Sequence, residues 1–262
     1  MLISAGDIIS KSVKLYRDNF ALFLKYVALL FVPTLIMTFF GYSLSFFMRS
    51  IGGVLLGLGI YIIVVVILSL VAFWVSLGFI RAVAAKYQGQ EVKSIGEELK
   101  VAVPLILPAL LVSILAGLAI FGGFVLLIIP GIIFIMWFAF SLYALLLDNK
   151  HGTEALKYSK QLVNGRWWGV FWRILAPAFV FGIIIVIIQW IVAKFFGQSI
   201  INVFTLTPAI VAYSLISMII SIVIAPLSTA APTILYIELK KTPVQLHTAE
   251  VENKIIPEPP KE

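Results

Sequence analysis

The sequence predicts an all-α polytopic membrane bundle, and three observations point to this fold class. Hydrophobic residues make up 62% of the 262 residues and charged residues only 12%, against about 25% charged residues in soluble domains. Apolar runs recur that are long enough to cross a hydrocarbon core of ~30 Å. Basic segments separate these runs in a regular order. We therefore expect one domain of six transmembrane helices over residues 1–240 and a disordered, polar tail over residues 241–262.

The chain begins with a segment typical of a helix that lies at the membrane surface. Residues 3–18 separate an apolar face from a basic face, which is the pattern of interfacial helices. Ser4 and Asp7 form a helix-start signal, in which the serine side chain caps the first turn. The apolar face holds Ile8, Ile9, Val13 and Tyr16.

The first three spans are predicted at residues 20–40, 54–80 and 102–121. Lys25 in the first span can extend its ammonium group to the headgroups, so we interpret it as an anchor. The sequence SIGEELK at 94–100 is a second helix-start signal, placed before the third span. Gly122–Gly123 predicts a tight turn, and therefore an antiparallel hairpin of spans three and four.

Span four is predicted over Gly122–Leu147, with an interruption at Pro130–Gly131. A short amphipathic helix follows over residues 153–163, capped by Thr153 and ended by Asn164–Gly165. Its apolar stripe is too short to span a membrane and too apolar for water, so we expect the helix to lie along the cytoplasmic membrane surface. The stripe holds Ala155, Leu156, Ser159, Leu162 and Val163.

Spans five and six are predicted over residues 174–195 and 208–237. Thirty residues of straight helix would measure ~45 Å, which exceeds the core, so Pro226 or Pro232 is expected to kink or break span six. The candidate polar residues near the midplane are Gln189, Ser217 and Ser221. Small residues also line one face of span six, namely Ser214, Ser217, Ser221, Ala225 and Ser228. We favour the interpretation that this row allows close helix packing over the alternative that it lines a solute route.

The positive charges predict the orientation of the bundle. With the N-terminus, the 81–100 loop, the 148–173 loop and the tail in the cytoplasm, all but two of the 19 lysine and arginine residues lie inside, as the positive-inside rule requires. The two exceptions are Arg49 and Lys194, and all 12 acidic residues also lie inside. We expect a multi-pass plasma membrane protein with both termini in the cytoplasm.

An internal repeat is also predicted. Three segments share a glycine, a nearby acid and a lysine, namely SAGDIISK at 4–11, SIGEELK at 94–100 and HGTEALK at 151–157. Each precedes a proline-containing span and then a second span. The pattern predicts three copies of one unit, an interfacial helix followed by a membrane hairpin, and chance similarity of helix starts is the alternative.

The composition excludes most enzyme chemistry. The chain has no cysteine and two histidines, which removes thiol nucleophiles, thiolate metal sites and most general-base chemistry. No acid lies inside a predicted span, so the usual carriers of a proton relay are missing. The basic residues flank spans and do not form a soluble basic face, so we expect no nucleic-acid binding. We also expect no cofactor, no metal and no enzymatic activity.

The candidate contact site lies after span four. Basic and aromatic residues gather there at the depth of the membrane interface, where they attract anionic headgroups. They are Lys157, Lys160, Arg166, Trp167, Trp168, Trp172 and Arg173. Generic membrane anchoring is the alternative to a specific lipid site.

Asp148 is the one acid at the carboxyl end of span four. A helix dipole disfavours a negative charge at that end. We therefore expect a cation to pair with Asp148, and Arg166 or Arg173 from the same loop are the candidates.

Several of these residues resemble those of a known family. They are IIPGIIF at 128–134, then Asp148, Ala155, Ser159, Leu162, Gly165, Arg166 and Trp168, and finally APLSTAAPTILYIEL at 225–239. The chain resembles the membrane-domain family fused to some glycerophosphoryl diester phosphodiesterases, and its stand-alone relatives of unknown function. The resemblance implies a six-span bundle in a prokaryotic plasma membrane. The family's chemistry belongs to a fused soluble barrel that this sequence lacks, so the resemblance implies no enzymatic activity.

Two functions follow as hypotheses. The first is a non-enzymatic membrane protein that engages lipid, or a membrane or cytoplasmic protein partner, through its cytoplasmic interfacial helices. The alternative is a permease for a small or lipid-like solute, with spans four to six lining the route. A cavity beside Gln189 and Ser217 would favour the permease, whereas a solid bundle with a basic cytoplasmic groove would favour the first hypothesis.

Overall fold

The computed structural model describes residues 2–47, 51–92, 94–196 and 207–242. Within these ranges the chain forms α-helices and no strand, which confirms the all-α fold class. The helices are α1 Ala5–Asp18, α2 Phe20–Phe47, α3 Ile51–Tyr87, α4 Ile95–Ala102, α5 Ile106–Leu126, α6 Ile128–Phe138, α7 Ser141–Asp148, α8 Gly152–Val163, α9 Trp167–Phe196 and α10 Pro208–Lys241. The predicted tail lies outside the described residues from residue 243 onwards.

Among the described residues, six helical stretches are long and apolar enough to cross a membrane. They are Phe20–Gly41, Leu56–Tyr87, Ile95–Leu126, Ile128–Asp148, Trp167–Phe196 and Pro208–Lys241. Most of their side chains face outwards, because the acyl chains of a bilayer, unlike water, accept apolar surface. The six predicted spans are thereby confirmed, with the changes of boundary described below.

The short helices α1, α4 and α8 each precede a helical hairpin, so a unit of one short helix and one hairpin occurs three times in the described chain. Each short helix packs mainly on a hairpin other than the one it precedes. Helix α1 packs on α9 and α10, α4 packs on α3, and α8 packs on α5, α6 and α7. The three units therefore interlock at the end of the bundle that carries the basic segments.

Two of the three predicted helix-start signals form as expected. The hydroxyl of Ser4 accepts the backbone N–H of Asp7 at 3.0 Å, and that of Ser94 accepts the N–H of Glu97 at 3.2 Å. The third start differs, because α8 begins at Gly152 and its capping position is His151, not Thr153. Gly152, the first residue of α8, has φ +52°, a conformation that glycine adopts readily.

The core lies where the short helices meet the spans. Buried side chains of α1, α3, α7 and α10 form one cluster, and its largest members include Ile8, Leu77, Phe140, Leu145 and Tyr236. Within α1 the buried face consists of Ile8, Ser12 and Leu15, whereas Val13 is 46% exposed and does not belong to it. The buried core is therefore concentrated at the end of the bundle that carries the basic segments, where the candidate site also lies.

Several helices extend beyond their predicted bounds, among them α3 and α9. Helix α3 continues past Ile80 to Tyr87, because the guanidinium group of Arg81 finds partners in the protein, the carbonyl oxygen of Leu146 at 3.1 Å and the carboxylate of Glu98 at 3.4 Å. Helix α9 begins at Trp167 and not at residue 174. All three candidate tryptophans therefore lie on its first two turns.

The hairpin of α5 and α6 turns at Leu127 and not at Gly122–Gly123. Both glycines are helical, and Gly123 allows a close approach, since an added Cβ would stand 3.0 Å from the Cα of Gly131. Pro130 lies in the first turn of α6, where proline is tolerated. The predicted interruption at Pro130–Gly131 is therefore wrong, and span four is instead interrupted between α6 and α7.

Helix α10 is continuous over 34 residues, with Pro226 and Pro232 inside it. Neither proline breaks span six. The helix is ~51 Å long at 1.5 Å per residue, and its last turns pack against α1. The extra length thus lies at the end that packs on α1 and does not need to fit within the hydrocarbon core.

Candidate functional site

Arg166, the first of the two candidate arginines, is directed into the protein. Its guanidinium group donates hydrogen bonds to the carbonyl oxygens of Leu162 at 2.7 Å and Leu239 at 3.0 Å. It also donates to the carbonyl oxygen of Thr242 and to its Oγ1, the latter at 3.3 Å. Carbonyl groups at the end of α10 lack helical partners, and a cation there also suits the helix dipole. Burial lowers the pKa of Arg166, but arginine stays charged, so Arg166 is a cationic cap of α10.

Arg173, on the second turn of α9, holds the N-terminal residues in place. Its guanidinium group donates to the carbonyl oxygens of Gly169 at 2.7 Å, Leu2 at 3.4 Å and Ile3. Leu2 also packs closely on α9, since a Cβ added to Gly169 would stand 3.2 Å from its Cδ1. The sequence predicts that both arginines contact lipid headgroups, whereas the structure directs their donors to protein carbonyl groups.

Asp148 has a different partner from the predicted one. Its carboxylate accepts a hydrogen bond from the hydroxyl of Tyr236 and forms an ion pair with Lys240. The predicted pairing with Arg166 is wrong, because the carbonyl groups of α10 occupy that guanidinium group. A cation does lie beside the end of α7, as the helix dipole favours, and the contact joins α7 to α10.

A second polar cluster, which was not predicted, lies near this pair. Glu238 accepts hydrogen bonds from the hydroxyl of Tyr87 at 2.6 Å and from the ammonium group of Lys241 at 2.9 Å. Lys11 lies 3.8 Å from the same carboxylate oxygen. Helices α1, α3 and α10 therefore meet at Glu238. The segment that resembles the family contains Glu238, but no pattern in the sequence indicates partners so far away along the chain.

Ser159 holds α8 against the break between α6 and α7. Its hydroxyl donates to the carbonyl oxygen of Trp137 at 2.6 Å and accepts the backbone N–H of Phe140 at 3.0 Å. On the exposed side of α8, the ammonium nitrogen of Lys160 stands 4.1 Å from the centre of the Trp137 ring, which is a cation–π distance. Lys157, one turn earlier, is also exposed. The predicted lysines therefore lie on the outer face of α8.

A groove opens beside Trp137, between α6 and the start of α9. Its volume is about 480 Å³, and its lining consists of Ile129, Ile132, Ile133, Trp137, Asn164, Trp167 and Trp168. The rings of Trp167 and Trp168 meet edge to face at 4.8 Å. Trp168 is 67% exposed and Trp172 is 58% exposed, but Trp172 lies outside the groove lining. The isoleucines and Trp137 are not among the predicted site residues, because an apolar stripe within a span carries no signal that separates a groove from lipid-facing surface.

The polar residues near the midplane bind one another. The side-chain amide of Gln189 on α9 donates to Ser221 Oγ at 3.0 Å and to the carbonyl oxygen of Ser217 at 3.4 Å on α10. Such hydrogen bonds hold membrane helices together. A cavity of about 210 Å³ lies between the same helices nearer to Arg173, and its lining on α10 runs from Ser228 to Pro232. A permease route past Gln189 would require that its bond with Ser221 be broken.

Six apolar helices define the class of this chain, which is an integral, multi-pass membrane protein. Comparison with protein-family models, with curated proteins and with solved structures finds no match. The resemblance to the membrane domains of phosphodiesterases therefore stays a prediction. The function has to be argued from the surface of the chain itself, and above all from α8 and the start of α9.

Proposed function

We propose that the protein is a non-enzymatic plasma membrane protein that binds anionic lipid through a cytoplasmic rim. The rim consists of the exposed residues Lys157 and Lys160 on α8 and Trp168 on α9. A basic residue close to an anionic leaflet contributes ~1 kcal/mol to lipid association. Tryptophan side chains prefer the interface because one part of the ring system is apolar and the N–H is polar.

The observation that carries this proposal is the division among the basic residues of one segment. Arg166 and Arg173 donate to protein carbonyl groups, whereas Lys157 and Lys160 stay on the outer face of α8. Buried Ala155, Ser159 and Val163 determine the rotation of α8 about its axis. The packing of the helix therefore presents the lysines outwards and leaves them available to a membrane surface.

The proposal requires that α8 face the cytoplasm. The chain has no cysteine, so a single introduced cysteine reports its own location. Gln161 is exposed on α8, and Gln161→Cys should not react with an impermeant thiol reagent in intact cells. Ser199→Cys, in a connection outside the described residues, should react. Reversed labelling would place the rim on the external side, where the anionic lipid of the inner leaflet cannot reach it.

Lipid selectivity tests the function itself. The variant Lys157→Gln/Lys160→Gln should lose about tenfold or more in its preference for anionic over zwitterionic lipid, from two contributions of ~1 kcal/mol each. Lys150→Gln is the matched control, because the Lys150 ammonium group already pairs with Glu154 at 2.6 Å. Native mass spectrometry of the purified proteins, titrated with phosphatidylglycerol and phosphatidylcholine, measures the lipid preference of the double variant and of the control. Equal selectivity of the double variant and the unaltered protein would contradict the proposal.

A further inference from the structure

We propose that the groove between α6 and the start of α9 binds one acyl chain of an anionic phospholipid from the cytoplasmic leaflet, with Lys160 binding the lipid phosphate at the mouth of the groove. This inference rests on the proposed function and makes it specific, because it names one site and one arrangement of the lipid.

The walls of the groove suit an acyl chain. Three isoleucines of α6 form one side and two tryptophans of α9 the other. Its volume of about 480 Å³ lies within the ~300–1,000 Å³ of small-molecule sites. Only Asn164 contributes a polar side chain other than the indole groups. An elongated hydrocarbon chain can contact such a lining along its whole length, whereas a polar solute would find few hydrogen-bond partners there.

The direction of the groove matches that of a phospholipid in the bilayer. Trp137 and Ile129 are eight residues apart on α6, which is ~12 Å along a helix. Trp137 lies under Lys160 of α8, at the end where the basic segments gather. Ile129 lies at the tip of the α5–α6 hairpin and is 70% exposed. The groove therefore runs from the end of the bundle that carries the basic segments towards the tip of the α5–α6 hairpin, as an acyl chain runs away from its headgroup.

The charge at the mouth is complementary to a phosphate group. The Lys160 ammonium stands over the face of Trp137, and Trp137 is itself part of the lining. Asn164, which follows the last residue of α8, is part of the same lining. A phosphate placed there would meet an ammonium group and a carboxamide while its acyl chain entered the groove. Lys157 lies one turn further from the mouth and has no ring contact among the described residues.

Two pairs of matched variants test the site. Within α9, Trp168→Leu removes a wall of the groove, whereas Trp172→Leu removes a ring of similar exposure outside the lining. Within α8, Lys160→Gln removes the charge at the mouth, whereas Lys157→Gln removes an exposed charge one turn away. The measurement is the Kd for phosphatidylglycerol, with phosphatidylcholine of the same chains as the neutral probe, by native mass spectrometry.

We expect Trp168→Leu to weaken the binding of both lipids about fivefold and Trp172→Leu to leave both within twofold. Lys160→Gln should weaken phosphatidylglycerol about fivefold more than Lys157→Gln does and should not change phosphatidylcholine. Ile132→Trp, which fills the groove from α6, should abolish the first bound lipid. The melting temperature of each variant in detergent shows that it is folded.

Three results would overturn the acyl-chain site. Equal effects within each matched pair would show a diffuse rim without a groove site. Competition by soluble glycerol phosphate as strong as that by the whole lipid would show that the chain contributes nothing. Loss of a dimer in the Ile132→Trp spectrum would assign the groove to a second copy of the chain. In each case the proposed function would still stand if the Lys157→Gln/Lys160→Gln variant lost its preference for anionic lipid. If that variant kept the preference, both proposals would be wrong.

Discussion

The arginines and the lysines of the segment between α7 and α9 occupy opposite environments, although they are close in sequence. Arg166 and Arg173 are partly buried and donate to carbonyl groups of α10 and of the N-terminal residues. Lys157 and Lys160 are exposed. Composition and the positive-inside rule treat all four residues alike. The comparison shows that within one basic segment the arginines can serve the structure while the lysines remain on the surface.

The chemistry of the two side chains explains the difference. A guanidinium group is a rigid, planar fork of five N–H donors that can satisfy several carbonyl oxygens at once. A lysine carries a compact, strongly hydrated charge on a flexible stem, which suits a mobile headgroup. Arg166 meets four acceptor atoms on three residues. We therefore expect the arginines to determine stability and the lysines to determine lipid preference.

The largest effect is expected for Arg166. Arg166→Gln should destabilise the protein by about 3 kcal/mol, because hydrogen bonds to charged groups contribute about 1.5–3 kcal/mol each and are not additive. Arg166→Lys should recover little of this, since a lysine keeps the charge but not the fork. Thermal unfolding in detergent measures both. A fully stable Arg166→Lys variant would show that charge alone caps α10.

A smaller loss is expected for Arg173. Arg173→Gln should cost about 2 kcal/mol and should release the extended residues before α1, because Leu2 and Ile3 lose their donors. Limited proteolysis near the N-terminus should become faster. The neighbouring variant Trp172→Leu serves as the control and should leave the cleavage rate unchanged. Unchanged cleavage in Arg173→Gln would show that Leu2 is held by its packing on Gly169.

The fold class could be predicted because each span carries its own signal. An uncharged apolar run is a local property of the sequence, and so is a serine followed three residues later by an acid at the start of α1 or α4. The tight hairpin of α5 and α6 could be anticipated from its glycines, but the turn moved to Leu127 because Gly123 and Gly131 are used for helix contact. The continuity of α10 could not be predicted from its length, since only its packing on α1 shows where the additional turns lie.

The site was harder to predict because its contacts join distant parts of the chain. The sequence identifies Lys160, Trp167 and Trp168 as interfacial residues, but it does not show that Trp137 lies beneath Lys160. In the same way it indicates that Asp148 needs a cation but not that Lys240 supplies it. Closeness in sequence is a poor guide to ion pairing when the packing of helix ends brings together charged residues that are far apart along the chain.

The pair of Asp148 and Lys240 is expected to have an intermediate effect. Both side chains are partly exposed, so solvent screening limits the gain, and we expect a coupling of about 1 kcal/mol from a double-mutant cycle of Asp148→Asn and Lys240→Gln. The coupling should fall as salt is added. The exposed pair Lys150 and Glu154 is the control and should show a weaker coupling. A coupling that is insensitive to salt would show that the Tyr236 hydrogen bond, and not the ion pair, stabilises Asp148.

The smallest effect on stability is expected for Lys160, and this prediction separates the lysines from the arginines most clearly. Lys160→Gln removes a cation–π contact that contributes about 0.5–1 kcal/mol at an exposed site. It leaves Ala155, Ser159 and Val163 buried, so the packing of α8 is unchanged and the unfolding midpoint should shift far less than in Arg166→Gln. Lys160→Arg should bind anionic lipid as well as the unaltered protein, because either cation can meet a phosphate. If Lys160→Gln instead unfolded the protein as readily as Arg166→Gln, the lysine would be a structural residue like the arginines, and the division on which the lipid rim depends would not hold.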